Sequence, residues 1–357
     1  MQNKKAIRFI ILAGILAALI MAAVNTAAIE AKKEQRFHAE FLSLFDTVTQ
    51  IVGYAGDKEE FTRIASDIHD ELEIYHKLYN IYDDFEGIAN IKTINDNAGK
   101  APVKVDRKII DMLKFSREAY ERTDGKVNVA MGSVLSIWHD YRTRGIEDPE
   151  TAEIPPMDEL KAAALHTDIS KVIIDEEAST VYLEDPYMSL DVGAIAKGYA
   201  TEAAGRFLEA KGIDHILLSV GGNIRAVGKR ADGKLWKLDI QNPDTDSDEK
   251  AIDTLDLDGF SLVSSGDYER YYVVDGVRYH HIIDPVTLMP AAYFRAVSIV
   301  CRDSGWGDAL STAVFNLPYE KGLALIEDIE GVEAMWVMPD ESIRTSSGYD
   351  AYRNHDK

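Results

Sequence analysis

The sequence predicts an α+β fold in which the sheets are largely antiparallel and the helices are interspersed among the strands. Three observations carry that expectation. Apolar residues recur at helical spacing in long segments, strand-like runs follow one another along the chain, and the turns joining them carry hairpin signals. A doubly wound parallel fold would alternate strand and helix throughout, and this chain does not.

Taken in order, residues 41–56 (FLSLFDTVTQIVGYAG) read as a strand pair ending at Gly53 and Gly56. Phe61, Ile64, Ile68, Leu72, Tyr75 and Leu78 then mark one face of a helix. A loop over 95–105 leads to a second helix, with Asp106 as its N-cap and Gly125 as its stop. The segment MGSVLSIWHDYRTRG follows, and the polar, proline-marked stretch 148–166 reads as loop and short helix. Residues 170–185 form a hairpin turning near Glu176 to Ala178. A helix beginning in SLDVGAIAKGYATEA runs to about Lys211, before Gly212. HILLSVGGNIRAVGK is a strand, a Gly-Gly-Asn turn and a second strand. In KLWKLDIQNP, Trp236, Leu238 and Ile240 alternate with Leu235, Lys237 and Asp239, the pattern of a half-buried strand. Residues 259–285 hold two more strands, joined at Asp275-Gly276. RAVSIVC is a strand, WGDALSTAVFNL a helix, and residues 319–339 a helix followed by a strand.

At 357 residues, with 46% hydrophobic and 28% charged residues, the chain has an ordinary globular composition. Its formal net charge of -22 argues against nucleic acid as a partner, and any anionic ligand must be held by a local concentration of positive charge. The N-terminus departs from the rest. Lys4, Lys5 and Arg8 precede an apolar run from Phe9 to Val24, so residues 1–35 read as a signal peptide or membrane anchor. Residues 36–357 then form a single extracytoplasmic domain, anchored to the cytoplasmic membrane if the run is retained. The lone Cys301 excludes an intrachain disulfide and reads as a small buried residue.

The segment DVGAIAKGYA sets Asp191 before a helix start, frames the turn with small residues and places Lys197 within the first turn. Helix N-termini attract anions, so a phosphate-bearing ligand is one reading; a capped helix with a snorkelling lysine is the other. The spacing matches neither a Walker A loop nor a dinucleotide fingerprint. In GWGDALSTAVF, Asp308 and Thr312 lie four apart on one helical face, where carboxylate and hydroxyl can reach one hard cation. Equally, Asp308 can complement the helix dipole while Thr312 bonds back to the chain. His280 and His281 are consecutive, so in a strand they face opposite ways, and one can face a site while the other faces core or solvent. Ser264 and Ser265 lack the nucleophile elbow of a serine hydrolase.

Taken together, LDVGAIAKGYA, VGGNIRAVG, SSGDYERYY, HIIDP and GDALSTA resemble, in order and spacing, the motifs of the FAD:protein FMN transferase (ApbE) family, across nearly the whole body after the leader. The resemblance implies a T-fold-like flavin transferase architecture. It also implies a reaction: a threonine hydroxyl of an acceptor protein attacks the FMN-side phosphorus of FAD, AMP leaves, and FMN stays on the threonine as a phosphoester. Asp308, Thr312 and the carbonyl of Ala194 match the family's magnesium ligands, and Asp191 and Lys197 match FAD-contacting positions. His281 matches the position linked to catalysis, as base or as phosphate-orienting group. Ser265, Gly266 and Asp267 match a turn beside the flavin, and Phe45 falls where the family lines the isoalloxazine pocket. Asn128, in GKVN, stands where many members carry the acid of Gly-x-Phe-Asp. The lipoprotein cysteine common in the family is absent, and no segment resembles an acceptor site, so the acceptor is another protein. By analogy it is an Rnf-type or Nqr-type electron-transfer subunit. Two other readings use the same residues: a magnesium-dependent FAD pyrophosphatase, with water in place of threonine, and an exported FAD-binding protein without catalysis. An acceptor protein in the assay separates the first from transfer. Asp308, Thr312 and His281 argue against the second, because storage of a flavin needs no magnesium site.

Overall fold

A computed structural model describes residues 34–355. The expected leader falls almost wholly outside these residues, and among them no helix is long and apolar enough to cross a membrane. The first hairpin joins β1 (Gln35–Leu44) to β2 (Thr47–Ala55), with Phe45 and Asp46 both at positive φ in its turn. Helix α1 (Lys58–Tyr79) starts where the Asp57 side chain accepts from the Glu60 amide, and it buries Phe61, Ile68, Leu72, Tyr75, Leu78 and Tyr79.

The expected loop at 95–105 is partly helical. Helix α2 (Ile91–Asp96) begins at a reciprocal capping box between Asn90 and Thr93, and the two-residue strand β3 (Val103–Lys104) follows. Helix α3 (Arg107–Arg122) is capped by Asp106 and ends before Gly125, which sits at φ 77°. Helices α4 (Gly132–Glu147) and α5 (Met157–Ala164) lead to the hairpin β4 (Val172–Asp175) and β5 (Thr180–Leu183). Helix α6 (Ala196–Ala210) precedes β6 (Ile216–Val220) and β7 (Asn223–Val227), which are joined by the two-residue Gly221-Gly222 turn at φ 52° and 88°. Next come β8 (Trp236–Gln241), β9 (Ala251–Leu257), β10 (Ser261–Gly266), β11 (Tyr271–Val274) and β12 (Val277–His280), so residues 259–285 hold three strands rather than the expected two, the hairpin at Asp275-Gly276 joining only the last pair. The chain closes with β13 (Ala296–Cys301), α7 (Ser304–Phe315), α8 (Tyr319–Glu327), β14 (Glu333–Val337) and β15 (Ile343–Thr345).

One eight-stranded antiparallel sheet runs β1-β2-β6-β7-β10-β13-β14-β15. Its central strands are covered on both faces. Every residue of β13 is buried: Val297, Ile299 and Cys301 pack with Leu310, Val314 and Phe315 of α7, while Ala296 and Val300 pack with Trp236, Leu238 and Leu255. The β8–β9 hairpin supplies that second cover. The expected alternation in β8 is present, with Trp236, Leu238 and Ile240 inside. Its partner β9 was not anticipated, because Asp253 and Asp256 mask the buried Leu255 and Leu257 in a polar-looking run.

A satellite cluster gathers Val134 and Trp138 of α4, Leu160 of α5, Tyr272 of β11, and Ile283 and Leu288. Between this cluster and the helical layer over the sheet lies a cavity of about 710 Å³.

Candidate functional site

The cavity floor forms where α6 crosses α7. Glycine is required there: a Cβ on Gly198 would lie 2.3 Å from the Ser304 carbonyl oxygen and 2.4 Å from Asp308 Cβ. This close approach lets the Gly198 amide donate to Asp308 Oδ2 at 2.8 Å. In a regular helix start, that amide would bond the Ala194 carbonyl. Its diversion leaves the Ala194 oxygen with no donor among the described residues. Asp308 Oδ1 and the Thr312 hydroxyl also make no hydrogen bond to the described residues, and all three residues line the cavity. Thr312 therefore does not bond back to its own helix, in contrast to Thr201, whose Oγ donates to the Lys197 carbonyl at 2.7 Å. Asp308 is 5% exposed, and burial raises its pKa against the opposing pull of Lys197. A carboxylate, a hydroxyl and a carbonyl left without protein partners are the donor chemistry of a hard divalent cation. Among the described residues no cluster of three or more His, Cys, Asp or Glu competes with it.

The two histidines diverge as the strand period requires. His280 is 6% exposed; its Nε2 donates to the Ala291 carbonyl at 2.7 Å and its Nδ1 accepts from the Ile282 amide, which makes it a neutral core residue. His281 lines the cavity, and its Nδ1 is buried without a partner. Burial, followed by the nearby Lys197 and Arg270, holds its pKa well below the ordinary histidine value, so the ring is neutral at neutral pH.

Around the remaining wall, Asp191 accepts from the Gly193 amide at 2.8 Å and has its pKa raised by burial. Asn128 caps the turn after α3 by accepting from the Ala130 amide, and it donates to the Thr167 carbonyl, so its amide is committed to holding backbone. Beside it, Lys126 bonds both carboxylate oxygens of the buried Asp284 at 3.0 and 2.9 Å. That contact ties GKVN to HIIDP. The Phe45 amide donates to His76 Nδ1 at 3.1 Å, and its ring stands edge-on to the imidazole at 5.5 Å. Ser265 Oγ pairs with Ser311 Oγ at 2.8 Å.

Of the residues singled out from the sequence, Phe45, Asn128, Asp191, Ala194, Lys197, Ser265, His281, Asp308 and Thr312 share this one cavity. Gly266 and Asp267 do not. Strand β10 leaves the site after Ser265: a Cβ on Gly266 would run into the Tyr268 ring, and Asp267 pairs with Arg278 at 3.2 Å in a separate recess. The same motif returns to the cavity two residues later, at Glu269 and Arg270. Sequence reasoning also missed Lys126, His139, Arg142 and Asn223. Asn223 is 2% exposed with Oδ1 unpartnered, and the Gly-Gly turn before it was the available signal.

Comparison with known proteins follows the same lines. Residues 45–336 match the model of the ApbE family. An FAD:protein FMN transferase of Treponema pallidum is 36% identical over 272 residues, covering 72% of this chain and 73% of its own. One from Klebsiella pneumoniae is 32% identical over 260 residues, covering 72% of this chain and 78% of its own. Among solved structures, the ApbE protein of Thermotoga maritima superposes with a TM-score of 0.78 at 28% identity, over 90% of this chain and all (100%) of that one. The flavin transferase ApbE of Vibrio cholerae shares the fold at 22% identity, with a TM-score of 0.73 over 89% of this chain and 99% of that one.

Proposed function

The chain belongs to the ApbE family, and on that premise we propose that it is an FAD:protein FMN transferase acting on a threonine hydroxyl of an acceptor protein. One observation carries the reading at the level of this chain's own atoms. The floor of a dinucleotide-sized cavity presents Ala194 O, Asp308 Oδ1 and Thr312 Oγ without protein partners, beside Lys197 and a neutral His281. These three oxygens would hold a magnesium ion, and when bound it would neutralise charge on the phosphates.

The chain's residues supply the rest. Lys197 reaches the anionic diphosphate from the first turn of α6, reinforced by the partial positive charge of that helix end. Threonine oxygen forms a bond to the FMN phosphorus as the bond to the bridging oxygen breaks. The electron pair leaves on the AMP phosphate, and the threonine proton passes to a base. His281 suits that role: it is unprotonated at neutral pH and its ring lines the cavity. Phe45, held by His76, offers an apolar wall for the isoalloxazine. Asp191 and Asn128 brace the adjoining loops, and Ser265 the strand end.

Export through the N-terminal run, with anchoring at the cytoplasmic membrane, is part of the same reading and is supported by the basic residues preceding Phe9. The acceptors would then be extracytoplasmic segments of Rnf-type or Nqr-type electron-transfer subunits. The test combines full-length protein, FAD, magnesium and a domain bearing an acceptor threonine, and reads covalent FMN by intact-mass spectrometry. A mass gain lost with chelator or with Asp308→Ala supports the transferase. Release of AMP without a mass gain indicates the pyrophosphatase instead, and bound FAD with neither product leaves only a binding protein.

A further inference from the structure

Two guanidinium groups enter the cavity from separate elements, Arg142 from α4 and Arg270 from the loop after β10, and neither forms an ion pair with any described carboxylate. The only polar contact of Arg142 among the described residues is Nη2 to His139 Nδ1 at 3.0 Å. Because an arginine can only donate, His139 must accept there, which makes it a neutral ring that orients the guanidinium. Its pKa is correspondingly lowered, first by burial and then by Arg142. Arg270 has no polar partner among the described residues. Burial and then the repulsion of Arg270 depress the Arg142 pKa; the carboxylate of Asp191 bears on both arginines from the same cavity but forms an ion pair with neither. Both also bear on His281, after Lys197, while of these three cations only Lys197 bears on Asp308.

In a chain of net charge -22, convergent unpaired arginines at a cavity wall call for an anion. The transfer reading, on which this step rests, names the group that most needs them. When the bridging P–O bond breaks, the electron pair and a full negative charge appear on the departing adenosine-side phosphate. We propose that Arg142 and Arg270 form a guanidinium clamp for the AMP phosphate of the dinucleotide, while the Lys197–Asp308 corner serves the phosphate that stays with FMN. Planar, forked donors suit a phosphate that gains charge as it leaves, because each hydrogen bond strengthens as the reaction proceeds.

Affinities for AMP and for FMN, measured by calorimetry with magnesium present on the full-length chain, test the assignment. The variants are Arg142→Gln, Arg270→Gln and the charge-retaining Arg142→Lys. Each Gln variant is expected to weaken AMP binding about tenfold and FMN binding less than about twofold, with Arg142→Lys in between. Arg270 is exposed, so its variant keeps the test valid if Arg142→Gln fails to fold. AMP binding unchanged in Arg270→Gln, or FMN binding weakened as much as AMP binding, overturns the clamp. The mass assay on wild-type protein runs in parallel. Arginine-dependent AMP binding without FMN transfer would leave the clamp standing and remove the transferase reading; transfer with arginine-independent AMP binding would do the reverse.

Discussion

At the cavity floor, backbone from α6 lies against α7 so closely that only glycine fits at 198, and the carboxylate of Asp308 is pinned by a main-chain amide. At the rim, Glu269 and Arg270 are exposed, Arg142 touches one imidazole, and no ion pair links them to other described residues. The floor is set by steric contact and buried hydrogen bonds, which tolerate little displacement. The rim is set by charge, and with so few bonds to hold them its side chains can reorganise around a ligand. A group-transfer site needs both: a rigid corner that fixes the reacting atoms, and an adjustable wall that admits the substrate and releases the product.

The sharpest test of the buried side is Lys126→Met. It strands Asp284, which is 3% exposed and which Lys126 holds through both oxygens, so unfolding in urea should show a loss of about 3–5 kcal/mol. Gly198→Ala comes next. Overpacking against the Ser304 carbonyl should cost about 1–3 kcal/mol, and the forced separation of α6 from α7 should weaken magnesium-dependent transfer more than FAD binding. If the variant is as stable and active as wild type, the floor is not rigid.

A smaller effect separates buried imidazoles from exposed ones. His76, His139, His280 and His281 all have lowered pKa values, with burial as the first cause. Above about pH 6.5 they are neutral in both folded and unfolded chains, and their contribution to stability is full. As the pH falls below that value the unfolded chain takes up protons first, so stability should drop, by up to about 1.4 kcal/mol per pH unit for each ring. His281→Gln should make the urea midpoint less sensitive to pH between 7 and 5.5; an unchanged slope would mean that the ring takes up protons as readily in the native state as in the unfolded chain. The smallest expected effect is at Asp267. Since it pairs with Arg278 outside the cavity, Asp267→Asn should change FAD affinity by less than about twofold and stability by at most about 0.5 kcal/mol. A large loss of flavin binding would return Asp267 to the site.

The contrast between Ser265 and Asp267 marks how far a linear motif reaches. Both belong to SSGDYERYY, yet β10 ends between them, and once the strand alternation stops the chain direction is set by packing of Tyr268. Glu269 and Arg270 were overlooked because exposed charged residues in a loop look alike in sequence whether they face bulk water or a ligand. Asn223 was hidden for the opposite reason: a turn residue reads as structural until its oxygen is found buried without a partner.

The sequence alone determined the α+β character, the hairpins at Gly221-Gly222 and Asp275-Gly276, the helix capped at Asp106, and the pairing of Asp308 with Thr312 on one helical face. Each of these is a local property, governed by periodicity, by φ preference or by a side chain's reach to its own backbone. Only the tertiary structure decided that Gly198 would divert its amide to Asp308 and free the Ala194 carbonyl, that His281 and not His280 would face the cavity, and that Arg142 and Arg270 would line one cavity. Those outcomes join residues far apart in the chain. They depend on how closely helices cross and which face of a strand is covered, and both are set by the packing of the whole core.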